Sequence, residues 1–563
     1  MTGSTPALDR FFEHYYRRRP VNATFTGLHD YDARLPEWSP DGLAALDDEM
    51  DRVAVSLRQA YRVPASPREC LADPDVLDAQ LALDFLAIQR AENDSGHGVR
   101  GNPALWTGEA IFSIVSLMIR DFAPIAERVA NATARLEAMP AFIAAAKATL
   151  TTVRSAAMPA AWIAKALREC AGGEMLFTLG LERWVACENV SNVSNVSADA
   201  VTRLADAAFR ARRTLAEFAT WLRGCPPAQD ETMACGADLY DHLLARGHRC
   251  VQPRPELLAE AKERLQEERA TLDALACAAA GSLAAARERI ASDHPAPDEY
   301  LAAFERIWTE AREVAQGLVT WPDWPIRYTT YPESTCDAAP YLYYLHYRSP
   351  APFDRRDVHD YVVPALPVGR EAAHLRTWNH SVIKLNHVVH HGGIGHHVQN
   401  WHAYHQTRSR IGRIAAVDCA SRIGMFCGGS MAEGWACYAT RLMDELGFLR
   451  PLERVAERET RVRMLARAIV DIELHEGTMA FGDAARFYVE QAGMTAEAAR
   501  AEAVKNTMFP CTAVMYWLGT QGIVDLRTTL EAARGAAWSL KDFHDELLGF
   551  GSIPVLLVAG MLA

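Results

Sequence analysis

The sequence predicts a mostly α-helical fold, a large helical body with a small β-sheet beside a deep cleft. Three observations predict it. Long Ala/Leu/Glu/Arg-rich stretches repeat apolar residues at helical spacing. Strand signals are few. Half of the 563 residues are hydrophobic and 23% are charged, a globular composition able to bury a large core.

The elements follow in order. Residues 41–62 follow a Ser39-Pro40 start, a capping side chain and then a first-turn proline. Residues 124–153 read as an Ala-rich helix with two breaks at most. Residues 256–290 read as one long amphipathic helix with a solvated charged face. Residues 454–475, 495–506 and 514–533 repeat the theme. Residues 324–331 and 341–347 are aromatic, β-branched or alternating, and are expected to form the small sheet. Tyr341, Tyr343, Tyr344 and Tyr347 read as sheet packing, with a pocket wall as the alternative. Residues 350–367 read as a Pro-rich connector, and the apolar tail 553–563 as a docked C-terminus. No repeat of 20–50 residues occurs. The coarse division is a helical N-terminal half, 1–320, and a half with the sheet and the histidine region, 321–563, forming one integrated body.

The formal charge is −13, from 58 basic and 71 acidic residues, which argues against nucleic acid and anionic membrane as partners. No stretch reads as a signal peptide or a membrane span, so the expected location is cytoplasmic. The Asn-Val-Ser triplets at 189–197 read as a polar linker or exposed turn. The 12 cysteines are scattered with no C-x-x-C and read as buried reduced thiols. No G-x-S-x-G, G-x-G-x-x-G or P-loop motif occurs, so an activated serine and a nucleotide site lack support. Cys427 or Cys437 beside the histidines leaves a Cys–His pair as a minor alternative.

Seven of the 19 histidines fall between His387 and His405, where chance would place fewer than one. Neutral imidazole is the commonest protein ligand for zinc and related metals. On a helix, His387 and His391 share a face, and so do His390 and His397. His390 and His396 meet only if the helix deforms, and Gly392, Gly393 and Gly395 permit that. Glycine inside a helix costs about 1 kcal/mol relative to alanine. Three glycines therefore need a compensating reason, such as close approach of a metal or substrate. Downstream, Glu433 stands in an otherwise apolar stretch that reads as a buried helix. A buried carboxylate must be paired, protonated or metal-bound. Two histidines and a downstream glutamate form a His₂Glu set with one position left for water. The bland alternative is a glutamate on a helix surface.

Several segments, taken in order, carry a family resemblance. They are 20–32 with Arg34-Leu-Pro; the stretch 390–399, matching H-E-x-x-P-G-H-H-x-Q; and 433–438, matching E-G-W-A-x-Y, followed by Leu442, Asp444, Glu445 and Gly447. Val470-Asp471 with Leu474-His475 comes next, then Pro510, Ala513, Tyr516, Gly519, Leu526 and Arg527, and finally 543–554. The chain resembles, over nearly its whole length, the bacterial "domain of unknown function 885" family, whose members look like gluzincin-type metallopeptidases. The resemblance implies a metal held by His390, His396 and Glu433; His397, or His391 by its own position in the cluster, is a candidate added or substitute ligand. The metal would be divalent, zinc first, with iron or manganese as alternatives. The motif departs at two places: its glutamate is His391 and its proline Ile394. In a zinc hydrolase that glutamate takes the proton from water. His391 is therefore a replacement base, an added ligand, or the mark of a relative that only binds.

Three further candidates complete the site. Tyr516 is placed to stabilise an oxyanion or else is a core tyrosine. Arg527, about three turns on, would hold a substrate carboxylate or else forms a structural ion pair. His475, one turn after Asp471, would support the metal or contact substrate, or else makes an intrahelical hydrogen bond. The expected function is a metal-dependent enzyme acting on a small amino-acid-like or short-peptide substrate with a carboxylate, hydrolytic if His391 replaces the glutamate. The alternatives are a repurposed lyase, cyclase or iron-dependent oxidative enzyme, or an inactive peptide-binding relative.

Overall fold

Proline and a capping side chain start three consecutive helices in the N-terminal region. Ser39 Oγ accepts from Gly42 N before Pro40–Ala60, Asp73 from Asp75 N before Pro74–Asp94, and Asn102 from Ala104 N before Pro103–Met118. Each cap satisfies an amide that the first turn leaves unpaired. The computed structural model describes residues 6–62, 64, 66–153, 158–191, 196–228, 233–342, 351–354, 359–420 and 422–563. Helices dominate it, as the periodicity predicts. The long helix Ile125–Val153 accommodates Pro140 in its interior. The single helix expected over 256–290 is two helices, Arg254–Ala280 and Leu283–Ser292. Gly281 ends the first in a left-handed conformation, and Ser282 caps the second by accepting from Ala285 N.

The sheet near the cleft is smaller than expected and has a different partner strand. Ile326–Thr330 pairs in parallel with His359–Val363, Tyr328 opposite Tyr361. The second strand thus comes from the segment read as a connector. Of the expected strand 341–347, Tyr341 closes a short 3₁₀ turn, and Tyr343, Tyr344 and Tyr347 lie outside the described residues. A second parallel pair joins Met158–Pro159 to Pro227–Ala228. The tail folds as the helix Val555–Leu562 with Val555, Leu557, Val558 and Met561 buried.

Buried apolar side chains form three groups, and each draws on residues from both sides of position 320. Two helix pairs bring Pro451–Glu476, Gly429–Glu445 and Met515–Arg534 to the cleft wall. Arg254–Ala280 packs along Pro451–Glu476, and Gly429–Glu445 packs along Met515–Arg534. Among the described residues no helix is long and apolar enough to cross a membrane. All 12 cysteines are unbridged. Seven are buried, but Cys187 and Cys277 are exposed, so the expectation of uniformly buried thiols is corrected.

Candidate metal centre and its cleft

The histidine segment is not one deformed helix. Asn379 Oδ1 accepts from Val382 N and starts a turn that continues as a π-helix over Ile383–His390. An α-helix resumes at His396–His405. The glycines lie between the two, where the chain reverses. A Cβ on Gly395 would overlap the His390 carbonyl oxygen, so only glycine fits there. A π-helical segment is uncommon and often marks a functional site. Here it turns His390 and His391 to the same side, and the glycine turn returns His396 beside them. One ligand atom from each of these three imidazoles lies within 4.8 Å of the others.

Glu433 reaches the same point from the helix Gly429–Glu445. Its Oε2 is 3.4 Å from His390 Nε2 and 3.7 Å from His396 Nε2. Two residues on, Trp435 Nε1 donates to Ile394 O at 2.7 Å and ties the glycine turn to the glutamate's helix. Gly434 and Gly519 lie back to back where this helix crosses Met515–Arg534, and a Cβ on either would overlap the facing backbone. That close crossing lets the Tyr516 hydroxyl donate to Glu433 Oε1 at 3.2 Å. Burial would raise the Glu433 pKa, but the hydrogen bonds of His390 and His396 outweigh it and hold the carboxyl well below its usual range. Burial, opposed by Glu433, keeps His390 below the ordinary imidazole value. Burial and the neighbouring histidines lower His391 further. His391 Nδ1 lies 2.6 Å from Asn386 O. A carbonyl only accepts, so Nδ1 carries the proton and Nε2 is left with its lone pair. Burial likewise keeps the Tyr516 hydroxyl protonated.

These groups line a cavity of about 640 Å³. Tyr361 and His387 form one side, and Arg463, Arg467 and Lys505 another. The sequence reading missed the arginines, although Arg463 and Arg467 stand four apart on one face of Pro451–Glu476.

The other predicted residues do not join the cluster. His397 is fully buried away from the cluster, with Nε2 donating to Trp324 O at 3.2 Å, and burial lowers its pKa to about 4. The helix turn at 396–397 sends the paired histidines apart. Arg527 pairs with Glu445 at 2.7 Å and donates to Tyr438 at 3.1 Å. It shares a helix face with Tyr516, but 11 residues at 1.5 Å each carry it about 16 Å away. His475 is fully buried, with Nε2 donating to Asn506 O at 2.9 Å and Nδ1 accepting from Cys235 N at 3.4 Å. Asp471 beside it accepts from Cys511 N and Val514 N, and so fixes the turn that precedes the Tyr516 helix. Burial holds the Cys437 thiol well above its ordinary value and Cys427 at about 12, which removes the thiolate a Cys–His pair would need.

The closing segment is held by hydrogen bonds to the site helices. Gln399 Nε2 donates to Ser552 Oγ at 2.6 Å, and Val555 N to Ser430 Oγ at 3.2 Å, docking it between the two site helices.

Solved structures share this fold. One, described as "a putative lipoprotein of unknown function" from Shewanella oneidensis, is 19% identical, with a TM-score of 0.74 and 99% of each chain covered. Another, described as a "putative lipoprotein" from Colwellia psychrerythraea, is 16% identical, with a TM-score of 0.77, covering 98% of this chain and 97% of that one. The expectation of a cytoplasmic location does not stand against these descriptions, because a lipoprotein is anchored at or exported across a membrane. No curated protein matches the chain. The family model described as "Bacterial protein of unknown function (DUF885)" matches residues 20–561. The chain belongs to that family.

Proposed function

We propose that the protein is a metal-dependent enzyme whose cleft takes one divalent ion, zinc before iron or manganese, at His390, His396 and Glu433. One observation carries the reading. Two ligands about 2.1 Å from a metal at the tetrahedral angle lie about 3.4 Å apart, and Glu433 Oε2 stands 3.4 and 3.7 Å from the two imidazole nitrogens. The donor set is that of a hydrolytic zinc site. The Tyr516 hydrogen bond orients the carboxylate, as the outer partners of metal ligands do. A bound divalent ion supplies Lewis acidity to a carbonyl or water oxygen.

His391 takes the place of the family motif's glutamate, and with the proton on Nδ1 its Nε2 carries the lone pair that a general base uses. That supports hydrolysis of a small amino-acid-like or peptide substrate. Tyr516, already donating to Glu433, positions that carboxylate and is not reserved for an oxyanion. A second reading has its own observation. His391 lies in the same 4.8 Å group as His390 and His396, which suits a fourth ligand and a non-hydrolytic reaction.

Zinc titration of chelator-treated protein by calorimetry tests the site. Saturable uptake of one ion, weakened at least 100-fold in His396→Ala and Glu433→Ala, supports it. Absence of uptake, or uptake unchanged in both variants, removes it. His391→Ala separates the roles: a ligand loses metal affinity, a base loses turnover with metal retained. Peptide hydrolysis gained by His391→Glu identifies an altered peptidase.

A further inference from the structure

We infer that Arg463 is the substrate-carboxylate anchor of this cleft. The helix Pro451–Glu476 forms one wall, presenting Ala456, Thr460, Arg463 and Arg467 to the cavity. The spacing of four, three and four residues keeps them on one face. The other arginines of the cavity are neutralised. Arg467 is clamped by both oxygens of Glu502, at 2.7 and 3.1 Å, and lies 4.6 Å over the Tyr516 ring. Arg287 pairs with Glu459 at 2.6 Å.

Arg463 differs. Among the described residues it has no ion pair and no hydrogen bond, and its Nε is shielded from solvent without a partner. Arg467, one turn on, and Arg287 add like-charge repulsion, while Glu459 and Glu502, already paired with those two arginines, attract it from beyond ion-pair distance. The shielded Nε lacks the acceptor that a buried donor requires. The planar fork of arginine matches a carboxylate bidentately. Arg467 stacks on the ring whose hydroxyl holds Glu433 and acts on His390, whereas Arg463 stands four residues, about 6 Å, along the wall from it. A substrate whose free carboxylate is several bonds from its reacting carbon fits that spacing: a short peptide with a free C-terminus or an N-substituted amino acid. Arg527, bound to Glu445 and Tyr438, does not serve this role.

The inference rests on the proposed metal site only for where chemistry occurs, because carboxylate binding needs no metal. The test is the affinity of N-acetyl-glycyl-alanine and of its C-terminal amide, measured by calorimetry on chelator-treated and on zinc-loaded protein. The acid is expected to bind at least tenfold more tightly than the amide in both. Arg463→Met should remove that preference without lowering Tm, and Arg463→Lys should restore part of it. Equal affinity for acid and amide, no binding of the acid, or an undiminished preference in Arg463→Met would overturn the assignment. If Arg463→Met does not fold, the acid–amide ratios of the wild type and Arg463→Lys decide it. Preference for the acid without zinc uptake would remove the metal reading and leave this one standing.

Discussion

Glu433 is a carboxylate with both oxygens engaged. Two imidazoles face one oxygen and a tyrosine hydroxyl binds the other. Tyr516→Phe keeps the ring and removes that hydrogen bond. It is expected to weaken zinc binding about 10- to 100-fold while Tm stays near the wild-type value, read by calorimetry and thermal denaturation. His475 is a structural histidine. Burial first, and His97 next, lower its pKa to about 3, against about 6.5 for an unfolded imidazole. A depressed folded pKa gives stability that is present above pH 6.5 and is lost as pH falls toward 3. His475→Gln should therefore lower Tm most at neutral pH. The gap from wild type should narrow on acidification, with zinc stoichiometry unchanged. A pH-independent gap would count against the neutral buried imidazole. At this scale the sequence revealed His390, His396 and Glu433, because liganding residue types cluster visibly. It did not reveal that His397 points into the core, since a one-residue step on a helix rotates the side chain by about 100°. Nor did it single out Arg463, whose importance lies in having no partner, and partners are a property of the fold.

Elements bring these residues together through one close crossing of backbones and one tryptophan. Gly434 and Gly519 allow the Glu433 and Tyr516 helices to cross closely, and Trp435 ties the glycine turn to the same helix. Gly434→Ala or Gly519→Ala forces the helices apart, an overpacking cost of about 1–3 kcal/mol. Each should lower Tm and weaken zinc binding together. A drop in Tm with zinc affinity intact would show that the crossing does not position Glu433. The helices were legible because apolar periodicity and Ser-Pro or Asn-Pro starts are local signals. The π-helical segment was not, because it depends on how residues 383–395 pack against Tyr328, Tyr361 and Trp435. The strand partner at 359–363 was missed for the same kind of reason: strand pairing is non-local.

Across the whole molecule, the family match and the full-length structural matches describe one shared architecture. The three buried apolar groups each combine early and late residues, while the cleft is lined by residues between Arg287 and Tyr516. Metal bound to the folded state alone adds stability by mass action, about 2.7 kcal/mol at a hundredfold excess over Kd. Chelation should therefore lower Tm and zinc should restore it, with no such response in His396→Ala. An apparent lack of targeting signals does not place a chain in the cytoplasm, and the similar structures carry descriptions that point elsewhere.

The central claim is a metal site built by His390, His396 and Glu433. Elemental analysis of protein purified without added metal tests it most directly, alongside the His390→Ala/His396→Ala double variant. The account predicts close to one transition-metal ion per wild-type chain and almost none in the folded variant. A wild-type chain without metal, or a double variant that keeps its full complement, would contradict it.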